Sequence, residues 1–144
     1  MLRTLSYWYD AAGHINEYSD NAAGQAMVSG YYDYDGRRRL TGADRVQSGS
    51  QAVLHQYEYD DADNMTLMER TGPGGFTRTY GHNNANELTS MTQGGVTTNF
   101  SYDAWGRQTQ KTRSGSTATY GYRYGQRLHE VTSNFPGEGS RMFD

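Results

Sequence analysis

The sequence predicts an all-β protein, a repetitive antiparallel β-hairpin meander that forms a curved or spiralling sheet. Three observations carry that prediction. Aromatic residues recur two apart, as in Tyr7/Tyr9, Tyr57/Tyr59 and Phe100/Tyr102, so on a strand each pair points to one face. Asp or Asn follows most of these pairs and opens a short turn. A second set of breakers lies between those turns, so a turn signal falls roughly every 8–14 residues, the spacing of a β-meander.

The clearest copy is Phe100-Ser101-Tyr102-Asp103-Ala104-Trp105-Gly106-Arg107. Asp103 at the first turn position can accept a hydrogen bond from the backbone two residues on. Gly106 at the fourth tolerates the left-handed conformation that closes a bulged hairpin. Arg107 then starts a return strand on which Thr109 and Thr112 favour extended backbone. The frame recurs at Tyr7 to Gly13 with its turn at Asp10, at Tyr32 to Asp35, at Tyr57 to Asn64 with its turn at Asp60, at Tyr80 to Asn86 with its turn at Asn83, and at Tyr120 to Arg123. The openers stand at 10, 35, 60, 83, 103 and 123, in steps of 25, 25, 23, 20 and 20 residues. Asp63 and Asn86 replace the closing Gly13 and Gly106 and accept positive φ better than most residues. Arg38 and Gln126 break that rule, and their turns are expected to differ in geometry.

The intervening breakers are Asn21 to Gly24, Ser48-Gly49-Ser50, Gly72-Pro73-Gly74-Gly75, Gly94-Gly95 and Ser114-Gly115-Ser116. Two strands per copy give about twelve strands, and open sheets beyond about ten curl or split, hence the expected curvature. Residues 1–133 are expected to form one domain of six copies, with 134–144 an irregular tail carrying Pro136, Gly137 and Gly139. Leu5, Tyr7 and Tyr9 share one face of the first strand, with Trp8 on the other, and Tyr18 lies on the return strand. Val53, His55, Tyr57 and Tyr59 repeat the arrangement, and Leu67 and Leu88 are aliphatic fillers on later return strands. Tyr120, Tyr122 and Tyr124 form the last ladder, and no stretch has useful helical periodicity.

Leu, Ile, Val and Phe make up about 12% of the chain, below the roughly 20% at which disorder becomes a serious reading. The net charge of only −3 and the 13 Tyr, 2 Trp and 4 Phe argue for a folded chain with a thin core of stacked Tyr. No apolar run approaches the roughly 18 residues of a membrane span, and Met1 to Tyr7 lacks the apolar stretch of a signal peptide. The absence of Cys excludes a disulfide scaffold and a thiolate zinc site. The slightly acidic balance gives no nucleic-acid footprint, and Arg37-Arg38-Arg39 reads as a solvated turn in preference to a phosphate site.

No catalytic, cofactor-binding or metal-binding set emerges. His14, His55, His82 and His129 fall in different copies without ligand spacing. Asp60-Asp61-Ala62-Asp63-Asn64 has the oxygen density that calcium favours, yet an EF-hand frame counted from Asp61 fails at Thr66 and Gly72. The recurring Asp and Asn residues are accounted for by turn geometry, and an enzyme is not expected. The Tyr ladders read first as core; as a ligand surface, the better candidates are Trp8 and Trp105, whose rings can stack on sugar faces.

Tyr-x-Tyr-Asp-x-x-Gly-Arg, recurring from Tyr7 to about Leu128, resembles the YD-repeat (RHS-repeat) family. That family includes the Rhs polymorphic toxins and wall-associated proteins of bacteria, the C component of insecticidal toxin complexes, and animal teneurins. The resemblance implies hairpins that spiral into a hollow β-shell, often around a cytotoxic domain, and an association with cell-surface contact and carbohydrate. It implies a non-enzymatic structural module, extracellular or at the cell surface of a bacterium, whose partner is an enclosed toxin cargo or a glycan. No Asp-Pro occurs, so the family's self-cleavage motif is not expected, and six copies suit an arc of sheet, a shell segment or a short stand-alone relative. The alternatives are a carbohydrate- or cell-surface-binding module, and a self-assembling subunit that forms a filament or tube through edge strands near residues 2–9 and 127–133.

Overall fold

The structure is a computed structural model and describes residues 2–50, 52–124 and 127–143. It is all-β, with thirteen strands and no helix among the described residues. The chain divides into two units, residues 1–77 and 78–144. The first unit holds β1 (Arg3–Tyr9), β2 (Ile15–Ala22), β3 (Val28–Tyr34), β4 (Leu40–Gln47), β5 (Val53–Tyr59) and β6 (Met65–Arg70). In the second are β7 (Phe76–His82, which begins just before the boundary), β8 (Leu88–Gln93), β9 (Val96–Tyr102), β10 (Gln108–Arg113), β11 (Ser116–Arg123), β12 (Arg127–Ser133) and β13 (Arg141–Met142). Within each unit the strands follow chain order, and each pairs antiparallel with its sequence neighbour.

One register rule governs every hairpin. Pairing runs in step from the open end and slips by one residue just before the turn, as between Trp8↔Glu17 and Tyr9↔Ile15. The slip recurs before Tyr34, Tyr59, His82, Tyr102 and Tyr122. It leaves one unpaired residue on each return strand: Asn16, Thr41, Thr66, Thr89, Thr109 and His129. These are β-bulges, and they add twist and re-aim the side chains beside the turn. At the opposite ends the connections are plain two-residue turns where space is tight. Gly94-Gly95 and Ser114-Gly115 have positive φ at both positions, as a type I′ turn requires.

The expected core of stacked Tyr is not found. Among the described residues no large side chain is fully buried, and the only buried residues are Gly30, Gly42, Thr98 and Ala118. The physical reason is that each unit is one layer of sheet, with no second layer to bury its ring face. Tyr32, Tyr34, Tyr57 and Tyr59 of the first unit and Tyr102, Tyr120 and Tyr122 of the second are half-buried, while Tyr7, Tyr9 and Tyr124 are exposed. Where a ring does lie flat, a glycine makes room. Tyr18 covers Gly30, its cross-strand partner, so closely that a Cβ there would fall 2.0 Å from Tyr18 Cε1. Tyr18 then stacks with Tyr32 at 6.1 Å between centroids.

Two further expectations are corrected. Strand 127–133 is not an open edge along its length, because Arg141–Met142 folds back on Glu130 and Val131. The Arg38 turn does not differ from the others: Arg38 takes φ +65°, in the same left-handed region as Gly13 at +86°. Backbone and carboxylate bonds fix that turn as a unit, and they override the steric preference of one exposed side chain. Gln126 lies outside the described residues.

Candidate functional site

The chemistry-bearing side chains gather at the hairpin turns, and there they are used up in a bonding pattern that recurs five times. At Asp10 the backbone closes through Asp10 N–H to His14 O (2.8 Å) and Gly13 N–H to Asp10 O (3.1 Å). One carboxylate oxygen, Oδ1, accepts from the N–H groups of Ala12 (2.8 Å) and His14 (2.9 Å). The other, Oδ2, meets the ring of His14 at 3.0 Å. At Asp35, Oδ1 accepts from Arg37 and Arg39 N–H, and Oδ2 accepts from Arg39 Nε at 2.7 Å. Asp60 does the same with Ala62, Asn64 and the Asn64 amide, and Asp103 with Trp105, Arg107 and the Arg107 guanidinium. The structure thus places Asp10/Gly13, Asp35, Asp60/Asp63, Asn83/Asn86 and Asp103/Gly106 at the first and fourth positions of like turns. Asp63, Asn86 and Gly106 have φ of +67°, +60° and +74°.

The fourth turn inverts the polarity. Asn83 replaces the carboxylate, its Oδ1 still accepts from Ala85 and Glu87 N–H, and its Nδ2 now donates to Glu87 at 2.7 Å. The residue four after the opener is therefore matched to it: His, Arg, Asn or Arg after Asp, and Glu after Asn. Sequence reasoning missed this partner, although the one Asn opener is followed by the one Glu in that slot.

The same partner reaches forward to the next hairpin. His14 stacks on Tyr34 at 4.8 Å, the Arg39 guanidinium lies 4.7 Å from the Tyr59 ring, and that of Arg107 lies 4.8 Å from Tyr122. Each of these tyrosines, and Tyr102 with them, precedes a turn opener and donates its hydroxyl to the carbonyl just past the preceding turn. The pairs are Tyr34 to Ile15 (3.0 Å), Tyr59 to Leu40 (2.9 Å), Tyr102 to Leu88 (2.9 Å) and Tyr122 to Gln108 (2.9 Å). A turn carboxylate thus orients a flat cation or ring, which supports the next tyrosine, whose hydroxyl latches back. Arg37 and Arg39 extend the coupling between the Asp35 and Asp60 turns by donating to Asp61 O (2.7 Å), Asp60 O (2.9 Å) and Asp63 Oδ1. The oxygen-rich Asp60–Asn64 stretch accordingly binds guanidinium groups, and Arg37 and Arg39 of the basic triplet serve the neighbouring turn.

Electrostatics follow from these bonds. The side-chain hydrogen bond from His14 lowers the Asp10 carboxyl below its usual value, the backbone N–H of Arg39 does so for Asp35, and the Arg107 guanidinium does so for Asp103. Burial raises the phenols of Tyr32, Tyr59 and Tyr102.

The two tryptophans belong to different units. Trp8 faces away from Tyr7 and Tyr9, opposite Glu17, and is 46% exposed. Trp105 sits at a turn tip, 76% exposed, with the Arg107 guanidinium 4.8 Å from its ring. On the first unit Gly42 floors an open groove of about 570 Å³ lined by Asp33, Asp44, Glu58 and Glu69. These carboxylates do not converge, and no group of His, Cys, Asp or Glu among the described residues could hold a metal ion. Among those residues no helix is long and apolar enough to cross a membrane.

No protein-family model and no curated protein matches the sequence. Solved structures do match. The chain is similar to one in the crystal structure of TcdB2-TccC3-Cdc42, with a TM-score of 0.75 at 13% identity over 94% of this chain and 8% of that one. It is similar as well to a chain of the Photorhabdus luminescens Tc holotoxin pore, with a TM-score of 0.51 at 13% identity over 90% of this chain and 9% of that one. The chain spans less than a tenth of the length of each. Both likenesses are of fold: chains of these Tc toxin structures are similar to the antiparallel hairpin meander described above.

Proposed function

We propose that this chain is a non-enzymatic structural module, a stretch of wall in a toxin-type shell. The observation that supports it most is the use of side-chain chemistry. Asp10, Asp35, Asp103, Arg39, Arg107 and four tyrosine hydroxyls are all engaged in holding one hairpin to itself or to the next. Such a layer supplies shape and stiffness, and its half-buried ring face is the surface that a cargo would contact. The fold likeness to chains of Tc toxin structures supports the same reading, and with it an extracellular or cell-surface setting in a bacterium. Electron cryo-microscopy of the product of the whole coding region that contains these residues tests it. The expected result is a hollow particle with these hairpins in its wall; a particle with no enclosed space removes the proposal.

A second reading rests on Trp105, which at 76% exposure is the most open large ring that is held in place by a neighbour. Carbohydrate binding through that ring requires a glycan-array signal that disappears in Trp105→Ala. An empty array removes it.

A further inference from the structure

The second unit carries a groove at a place that the first unit fills with a side chain of its own. There Tyr18, eight residues after Asp10, lies over Gly30 and stacks with Tyr32 at 6.1 Å. Counted in the same way from Asn83 and Asp103, Met91 stands at the place of Tyr18, Thr98 at that of Gly30 and Phe100 at that of Tyr32. Met91 pairs with Thr98 and Thr98 with Arg113, so the three form one row across β8, β9 and β10. Phe100 and Lys111 face each other in the next row. Over these rows an open groove of about 410 Å³ remains, within the roughly 300–1,000 Å³ of ligand pockets.

One wall of the groove is the stretch that follows β12. Glu138 N–H donates to Phe135 O at 3.0 Å, closing a turn, and Asn134 N–H donates to Thr117 O at 3.1 Å. The Glu138 carboxylate accepts from Lys111 Nζ at 3.2 Å and from the Ser133 hydroxyl at 3.1 Å, and Lys111 Nζ lies 4.4 Å from the centre of the Phe135 ring. These bonds hold Phe135 and Pro136 against the groove as an apolar rim. They also engage the charges of Lys111 and Glu138 with each other. Arg113 is left as the uncompensated charge of the lining, with no ion pair among the described residues. Thr98 is the second unengaged group. It is 5% exposed and lines the groove, and its hydroxyl has no hydrogen-bond partner among the described residues. A hydroxyl buried to that degree is costly to leave unbonded.

We propose that this groove binds a small carboxylic acid with an aromatic body. The carboxylate accepts a forked pair of hydrogen bonds from the Arg113 guanidinium and a third from the hydroxyl of Thr98, the cross-strand neighbour of Arg113. The ring lies against Met91, Phe100 and Phe135, much as Tyr18 lies against Tyr32 in the first unit. Methionine suits that contact, because its unbranched thioether adapts to the edge of a ring. Charge sets the sign of the ligand. With Lys111 and Glu138 paired, Arg113 gives the lining one net positive charge, so an anion is favoured and a cation is not. Apolar area alone would accept any ring, whereas Arg113 and the buried Thr98 hydroxyl select an acid. The site does not involve Trp105, and it stands whether or not the chain is part of a toxin shell.

Two-dimensional amide NMR of the 144-residue chain, titrated with 3-phenylpropanoate, reads binding residue by residue. Saturable shifts are expected at Thr98, Phe100, Arg113, Phe135 and Glu138, with nuclear Overhauser contacts from the probe ring to the Met91 methyl. The neutral amide of the same acid should bind at least about ten-fold more weakly, the difference made by one charge-assisted hydrogen bond. Arg113→Gln should weaken the acid by the same factor and leave the amide unchanged. Thr98→Val keeps the shape, removes the hydroxyl, and should weaken the acid about five-fold. Met91→Tyr supplies the ring that Tyr18 supplies in the first unit and should abolish binding, with the amide shifts of the Asp103 turn unchanged to show an intact hairpin. Shifts that do not saturate up to the solubility of the probe, equal affinity of the wild type for acid and amide, acid binding that ignores Arg113→Gln, or full binding in Met91→Tyr overturns the proposal. The comparison of acid with amide requires no variant to fold.

Discussion

Asp10, Asp35 and Asp103 each satisfy backbone donors, hold the residue four positions on, and through that residue steady the next hairpin. The left-handed position shows how far this bonding can override local preference. Arg38 sits at φ +65°, where an L side chain is strained, because Arg38 N–H and Asp35 O must close the turn. Arg38→Gly is therefore expected to raise stability by about 0.5 kcal/mol, seen as a higher midpoint in urea. Tyr59→Phe deletes only the latch to Leu40 O and should cost about 1 kcal/mol. The depressed carboxyls of Asp10, Asp35 and Asp103, with Asp20 held by Arg3, set the acid limit. Their folded values lie below the unfolded Asp value of about 3.9, so their stabilisation is present above that pH and is lost as pH falls through the folded values. Thermal melts should show a midpoint that drops progressively below about pH 4; a midpoint that rises on acidification contradicts these pairings. What a sequence shows poorly at this scale is reciprocity. The residue four after the opener varies among His, Arg, Asn and Glu, and only coordinates reveal that each completes its opener.

At the scale of the hairpin, the strand count and antiparallel order were legible because aromatic alternation and turn residues alternate along the chain with little between them. The bulge was not legible, although Thr fills it in four of the six hairpins, because a single unpaired residue leaves the alternation of the outgoing strand intact. The reversed pair offers a clean test of the hairpin's internal logic. Asn83→Asp sets two carboxylates against each other at the Glu87 contact and should lower stability by roughly 0.5–1 kcal/mol. Adding Glu87→Arg recreates the Asp103–Arg107 arrangement and should restore most of it. Close approach across strands gives a second contrast. Gly30→Ala drives a Cβ into the Tyr18 ring and should cost roughly 1–3 kcal/mol. Gly42→Ala meets Asp33 Oδ2 at 2.8 Å, which can swing aside, and Asp33 Cβ at 3.2 Å, which must give by a few tenths of an ångström, so it should cost less than Gly30→Ala.

For the whole molecule, the amount of aromatic residue in the sequence led to the expectation of a Tyr core, and the missing information was the number of layers. Alternation says which side chains share a face, but nothing in it says whether a second layer covers that face. In its absence Tyr32, Tyr59 and Tyr102 remain half-buried, and adhesion between neighbouring hairpins passes to hydroxyl latches and cation–ring contacts. The short β13 cover was equally hidden, since it depends on where the tail folds back. Amide hydrogen exchange, read residue by residue in the wild type and in Asp35→Ala, tests the coupling of turn to turn most directly. In the wild type the amides of His14, Arg39, Asn64, Glu87 and Arg107 should exchange slowly, because each donates to its opener. In Asp35→Ala, protection should fall at Arg37 and Arg39 and also at the Asp60 turn that Arg39 holds. Loss confined to the mutated turn, or wild-type turn amides that exchange as fast as an unfolded chain, would contradict the claim that these hairpins are bonded one to the next.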